Sequence, residues 1–140
     1  GMNCGFEDCV VLNQLLNNYG DEWNKIFSEF EINRKKNSDA IAELAVQNFI
    51  EMRDLVGHPE FLLRKKIEAY LNENYPEKWK PLYSLVTFSD TPYSTANVEG
   101  KKQDEIMKKV MTLKNISETW QQPETLSQIL SIIEHYSAAE

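Results

Sequence analysis

The chain has 140 residues, 41% hydrophobic and 26% charged, an ordinary balance for a water-soluble globular protein and about one domain's worth of sequence. A formal charge of −7, from 15 basic and 22 acidic residues, repels phosphate backbones. No basic stripe with interleaved aromatics offsets it, so nucleic-acid binding is not expected. No run approaches the roughly 18 apolar residues of a membrane span, and no signal peptide is read, so no membrane partner and a cytoplasmic location are expected. Cys4 and Cys9 would stand ~140° apart on a helix at 3.6 residues per turn, which disfavours a disulfide between them. His58 and His135 are isolated, so no metal site is expected. Gly1 before Met2 is either a residue left by tag removal or native; the sequence leaves both open.

The first helix is expected from Asn3–Phe6 to Tyr19, closed by Gly20, with Phe6, Cys9, Val10, Leu12, Leu16 and Tyr19 as its apolar face. Asp21 is read as the cap of a short second helix carrying Trp23, Ile26, Phe27 and Phe30 at helical spacing, whose three aromatics point to a core. Arg34, Lys35 and Lys36 then read as a solvated linker. Ser38 opens a third helix, Asp39 to Val56, closed by Gly57 with Pro59 beyond. Its stripe of Ile41, Leu44, Ala45, Met52 and Leu55 also carries Asn48, an amide that would need partners if buried. Pro59 suits position N1 of a fourth helix, Glu60 to Asn74, with Leu63, Ile67, Tyr70 and Leu71 inward.

Pro81 to Ser94, PLYSLVTFSDTPYS, departs from this pattern. Leu82, Tyr83, Leu85, Val86, Thr87 and Phe88 between two prolines favour extended backbone, yet no second convincing strand is read to pair with it. It is read as an extended or irregular strap over helices. A fifth helix from about Ser94 to Lys114 follows, then a short turn at Ile116 to Trp120. Pro123 opens a last helix with Leu126, Ile129, Leu130 and Ile133 on one face. The expected fold is mainly α: five to six helices, one strap and no complete sheet.

The residues themselves contain no nucleophile with a paired base, no carboxylate dyad and no phosphate loop, so no catalytic residue is assigned. Three stretches carry a resemblance. GMNCGFEDC at 1–9 resembles the segment after the second flavin-contacting motif of flavin-dependent aromatic hydroxylases. NFIEMRD at 48–54 with FLLRKKIE at 61–68, and KWKPLYSLVTFSDTPYS at 78–94, resemble the C-terminal part of the kynurenine 3-monooxygenase family. The likeness runs from Gly1 to about Met111. Cys4 departs from the alanine many members carry, and the hydrophobic anchoring tail of members from mitochondria-bearing organisms is replaced by an amphipathic helix.

This resemblance implies a single helical C-terminal domain, residues 1–140, of a larger FAD-dependent monooxygenase whose dinucleotide-binding domain is absent from the chain. The family takes hydride from NADPH and hydroxylates L-kynurenine to 3-hydroxykynurenine. By resemblance, Met2 and Asn3 lie beside the flavin at a helix N-terminus, where free N–H groups favour negative charge, and Asn48 and Tyr83 contact the aromatic amino-acid substrate. The implied partner is the missing N-terminal flavin domain. The chain alone is expected to be inactive and to self-associate through apolar surface left uncovered. The alternatives are a related aromatic hydroxylase with another substrate, or a non-catalytic helical interaction module.

Overall fold

The computed structural model describes residues 2–137; Gly1 lies outside the described residues. These residues form seven α-helices and one π-helical segment, with no strand among them, which bears out the mainly α expectation. Helix α1 (Met2–Tyr19) ends at Gly20, whose φ of 56° is the left-handed C′ conformation that glycine adopts without a Cβ clash. Helix α2 (Trp23–Ile50) continues straight into the π-helical segment Glu51–Leu55. There the Val56 N–H reaches the Glu51 carbonyl five residues back, at 3.2 Å. Helix α3 (Pro59–Asn74) begins with its proline in the first turn, where no N–H is missed.

Helices α4 (Leu82–Phe88) and α5 (Tyr93–Met111) each start after a proline, Pro81 and Pro92, with ψ near 140° (143° and 139°). A left-handed Asn115 leads into α6 (Ile116–Thr119), and α7 (Pro123–Ser137) completes the set.

Helix α5 joins two cores. Its second half contributes Ile106, Met107 and Val110 to a cluster with Ile67 and Leu71 of α3, Ile129 and Ile133 of α7, Trp79 and Ile116. Burying each such aliphatic chain contributes about 1.5–3 kcal/mol. The inward faces expected for α3 and α7 are the ones observed. The first end of α5 supplies Tyr93 to a smaller cluster with Cys4 of α1 and Ala40 of α2, against which Ile41 and Val86 pack.

Several local expectations are corrected. The second and third helices are one. No glycine or proline interrupts residues 23–55, and Arg34, Asn37 and Ala40 are engaged by tertiary contacts, so Ser38 lies mid-helix rather than at a start. Asp21 is not the cap residue; Glu22 holds that position, with no side-chain capping bond.

Trp23 and Phe27 do not form a core. They are exposed and stack on each other at 5.8 Å, because the buried face of α2 there is Ile26. On α1, Phe6, Cys9 and Val10 are exposed while Cys4 and Leu15 are buried. The π-helical segment carries Met52 and Leu55 to the surface as well.

The strap is also corrected. Only its ends are extended, at Pro81, Ser89 and Pro92, and its middle is α4. With no partner strand, an extended Leu82–Phe88 would leave backbone groups unpaired. One tight helical turn pairs them locally, overriding a β propensity that depends on sheet context. The Ser84 and Leu85 N–H groups donate to the Pro81 carbonyl, and the Ser89 hydroxyl donates to the Leu85 carbonyl at 2.7 Å.

Candidate functional site

The first turns of α1 present Met2 and Asn3 to solvent; Met2 is 76% exposed. Beside them lies a shallow open groove of about 490 Å³, lined by Asn3, Phe6, Glu7, Val10, Gln14 and Arg34 among others. Its polar wall is Arg34, reaching across from α2. The Arg34 Nε donates to Asp8 at 2.5 Å, Nη1 to Glu7 at 3.2 Å, and Nη2 to the Cys4 carbonyl at 3.3 Å and its Sγ at 3.4 Å. The Tyr93 hydroxyl donates to the other Glu7 oxygen at 3.0 Å. Burial works against the Arg34 charge, but the hydrogen bonds and negative charge of Asp8 and Glu7 outweigh it and raise its pKa above the usual value. Burial first, and then the Glu7 carboxylate, pushes the Tyr93 phenol up to about 12.

Helix α2 is the rod on which the rest is hung. After Arg34, the Asn37 Oδ1 accepts from the Ser94 N–H at 3.1 Å and from its hydroxyl at 3.0 Å, tying down the start of α5. One turn and a half further, Glu43 accepts from the Asn97 amide at 2.6 Å and pairs with Lys101 at 2.9 Å; Lys101 and Asn97 together hold its carboxyl below the usual range. Arg34, Asn37, Ile41 and Leu44 follow 3- and 4-residue spacing on one face. Asn48 continues that stripe, about 21 Å along the axis from Arg34 at 1.5 Å per residue.

The packing partners run out before that stripe ends. Leu44 is buried, but Asn48 is exposed, not the buried amide its spacing suggested. Its surroundings in sequence, Val46, Phe49, Ile50 and Met52, are exposed too. Tyr83 on α4 is 69% exposed, its ring edge-on to Phe88 at 6.1 Å. Behind it, Leu82 packs onto α5 at Gly100. The structure therefore places Met2 and Asn3 together on one helix turn, and Asn48 and Tyr83 on two separate helices. All four face outward.

Reading the sequence missed the cluster that ties these helices together. Arg34 was taken for part of a solvated linker and is instead 6% exposed. The signal was present: with Asn37, Ile41 and Leu44 it completes a helical stripe, but only if the helix runs through Ser38. Among the described residues no group of His, Cys, Asp and Glu could hold a metal ion. No helix there is long and apolar enough to cross a membrane.

A scan against models of protein families finds no match. Comparison with curated proteins does find relatives. The chain is 49% identical over 134 residues to a kynurenine 3-monooxygenase of Flavobacterium johnsoniae, covering 96% of this chain and 30% of that protein. It is 52% identical over 133 residues to the kynurenine 3-monooxygenase of Christiangramia forsetii, with 95% and 30% covered. The protein of the same name from Caenorhabditis elegans is 42% identical over 112 residues, 80% of this chain and 24% of that one. The chain is thus similar, over nearly all its length, to a segment of kynurenine 3-monooxygenase, and spans about 30% of the length of the first two relatives.

Proposed function

We propose that this chain is the C-terminal, single helical domain of an FAD- and NADPH-dependent monooxygenase that hydroxylates L-kynurenine to 3-hydroxykynurenine. It forms one wall of the substrate pocket and one edge of the flavin site. The observation that carries this reading is the 49–52% identity to kynurenine 3-monooxygenases over 95–96% of the chain. The exposed surface supports it. Isolated apolar residues are normal on a protein surface, but Val46, Phe49, Ile50 and Met52 lie together in sequence around an exposed Asn48. Apolar surface of that kind marks a place another structure covers, on this reading the N-terminal flavin domain.

The residues at the start of α1 fit a flavin edge. An 18-residue helix opens there, its first N–H groups lack partners within the helix, and Asn3 adds a polar side chain next to an open groove. Met2 and Asn3 would hold the ring edge, where backbone donors and the positive helix end favour electron density. When bound, FAD accepts hydride from NADPH and activates oxygen for insertion into the aromatic ring. No acid, base or nucleophile for that step is assigned among the described residues. Its part is positional: Asn48 and Tyr83 fix the polar end or ketone of the substrate by hydrogen bonds among apolar neighbours, and α1 orders the flavin edge.

The chain by itself neither retains FAD nor turns over kynurenine, and it self-associates through its uncovered apolar face. Desalting a mixture with FAD should leave no yellow protein, and light scattering should report species larger than the monomer. The decisive experiment expresses the complete reading frame that encodes this segment. Purified protein carrying FAD, and forming 3-hydroxykynurenine from L-kynurenine and NADPH, supports the assignment. Bound FAD with hydroxylation of another aromatic acid would replace the substrate but keep the class; absence of FAD would overturn the proposal.

A further inference from the structure

Arg34 is the most deeply buried charged side chain among the described residues, at 6% exposure, and it spends its whole guanidinium fork on the first two turns of α1. The guanidinium is buried but its carboxylate partners Glu7 and Asp8 are half exposed, and ion pairs open to water on one side add little net stability. What a guanidinium provides, and an aliphatic chain of equal size does not, is direction, because its donors leave a rigid plane at fixed angles. Here those donors reach Asp8, Glu7 and the backbone carbonyl of Cys4, the residue directly after Asn3. Glu7 in turn accepts from Tyr93, the first residue of α5, which follows α4 and Tyr83 closely in the chain. The same α2 that carries Arg34 carries Asn48.

We propose that Arg34 is a positioning residue. It fixes the first turn of α1, and with it Met2 and Asn3, against the rod that bears Asn48 and the helix start that follows Tyr83, so that the flavin edge and the substrate contacts keep one spacing. The inference rests on the flavin and substrate reading given above.

The test uses the complete enzyme with Arg34→Lys. Lysine keeps the charge and can still pair with Asp8, but one ammonium cannot also hold Glu7 and the Cys4 carbonyl in the plane of a fork. In FAD-free protein, amides of residues 6–9, whose acceptors are the carbonyls of the first turn, should exchange with deuterium faster in the variant, on the order of tenfold, through local opening, while amides of α7 exchange as before. In the FAD-loaded protein, the visible flavin absorption should shift in position or shape. Wild-type exchange at residues 6–9 together with an unchanged flavin spectrum would overturn the proposal. If Arg34→Lys does not fold, Tyr93→Phe, which removes one bond to Glu7 and no charge, carries the same test with a smaller effect in the same direction. Wild-type enzyme that takes up no FAD would overturn the flavin reading instead, and the exchange rates, measured without FAD, still decide the role of Arg34.

Discussion

Gly100 is where the placement of Tyr83 can be tested by packing alone. A Cβ added at this position would stand 2.7 Å from Leu82 Cδ2, 3.1 Å from Cδ1 and 3.3 Å from Cγ. Two opposing effects set the outcome of Gly100→Ala. Alanine in place of glycine inside α5 stabilises by about 1 kcal/mol through helix propensity. Forcing Leu82 out of its rotamer, or α4 off α5, costs about 1–3 kcal/mol as overpacking.

The single variant should therefore range from unchanged to about 2 kcal/mol less stable. In a Leu82→Ala background the obstruction is gone, and the same Gly100→Ala exchange should stabilise by about 1 kcal/mol. Urea unfolding of the wild-type chain, both single variants and the double variant closes the cycle, with an expected coupling of about 1–3 kcal/mol. A coupling below about 0.5 kcal/mol, the limit for independent sites, would mean α4 does not rest on Gly100. The seating of Tyr83 described above would then be wrong.

Two further predictions concern the candidate site and the buried cluster. In the complete enzyme, Tyr83→Phe and Asn48→Ala should each weaken kynurenine binding by about 1–3 kcal/mol, through a lost hydrogen bond and an unpaired partner. Because both side chains are exposed in this chain, unfolding of the 140-residue chain should change by less than about 0.5 kcal/mol; unchanged titrations with kynurenine would remove either residue from the pocket. Tyr93 keeps its proton to about pH 12 in the folded chain, whereas an unfolded tyrosine loses it near pH ~10. Its contribution is thus complete below the unfolded value and disappears as pH rises through that window. Tyr93→Phe should flatten the alkaline fall in stability over the same range, and superimposable alkaline limbs would refute the Tyr93–Glu7 contact.

Much of the architecture follows from local chemistry. Gly20 closing α1, Pro59 opening α3, and the inward faces of α3 and α7 obey rules that operate within a few residues: positive φ without a Cβ, a missing N–H where none is needed, apolar side chains repeating each turn. The acidic balance is likewise readable without reference to any fold. The words resembling kynurenine 3-monooxygenase, including those around Asn48 and Tyr83, were also legible, because they are runs of adjacent residues.

Tertiary structure decided what depends on distant segments. Whether α2 breaks at Ser38 turns on Arg34 meeting Asp8, 26 positions earlier, and on Asn37 meeting Ser94, 57 positions later. Whether Leu82–Phe88 is strand or helix turns on a partner strand that no other segment provides. Periodicity marks which residues share a face but not whether anything covers it. That is why Phe6, Trp23 and Met52 read as core and stand exposed, while Arg34 read as solvated and is buried at the joint between α1 and α2. A side chain's burial is a property of what packs against it, and that information is not local.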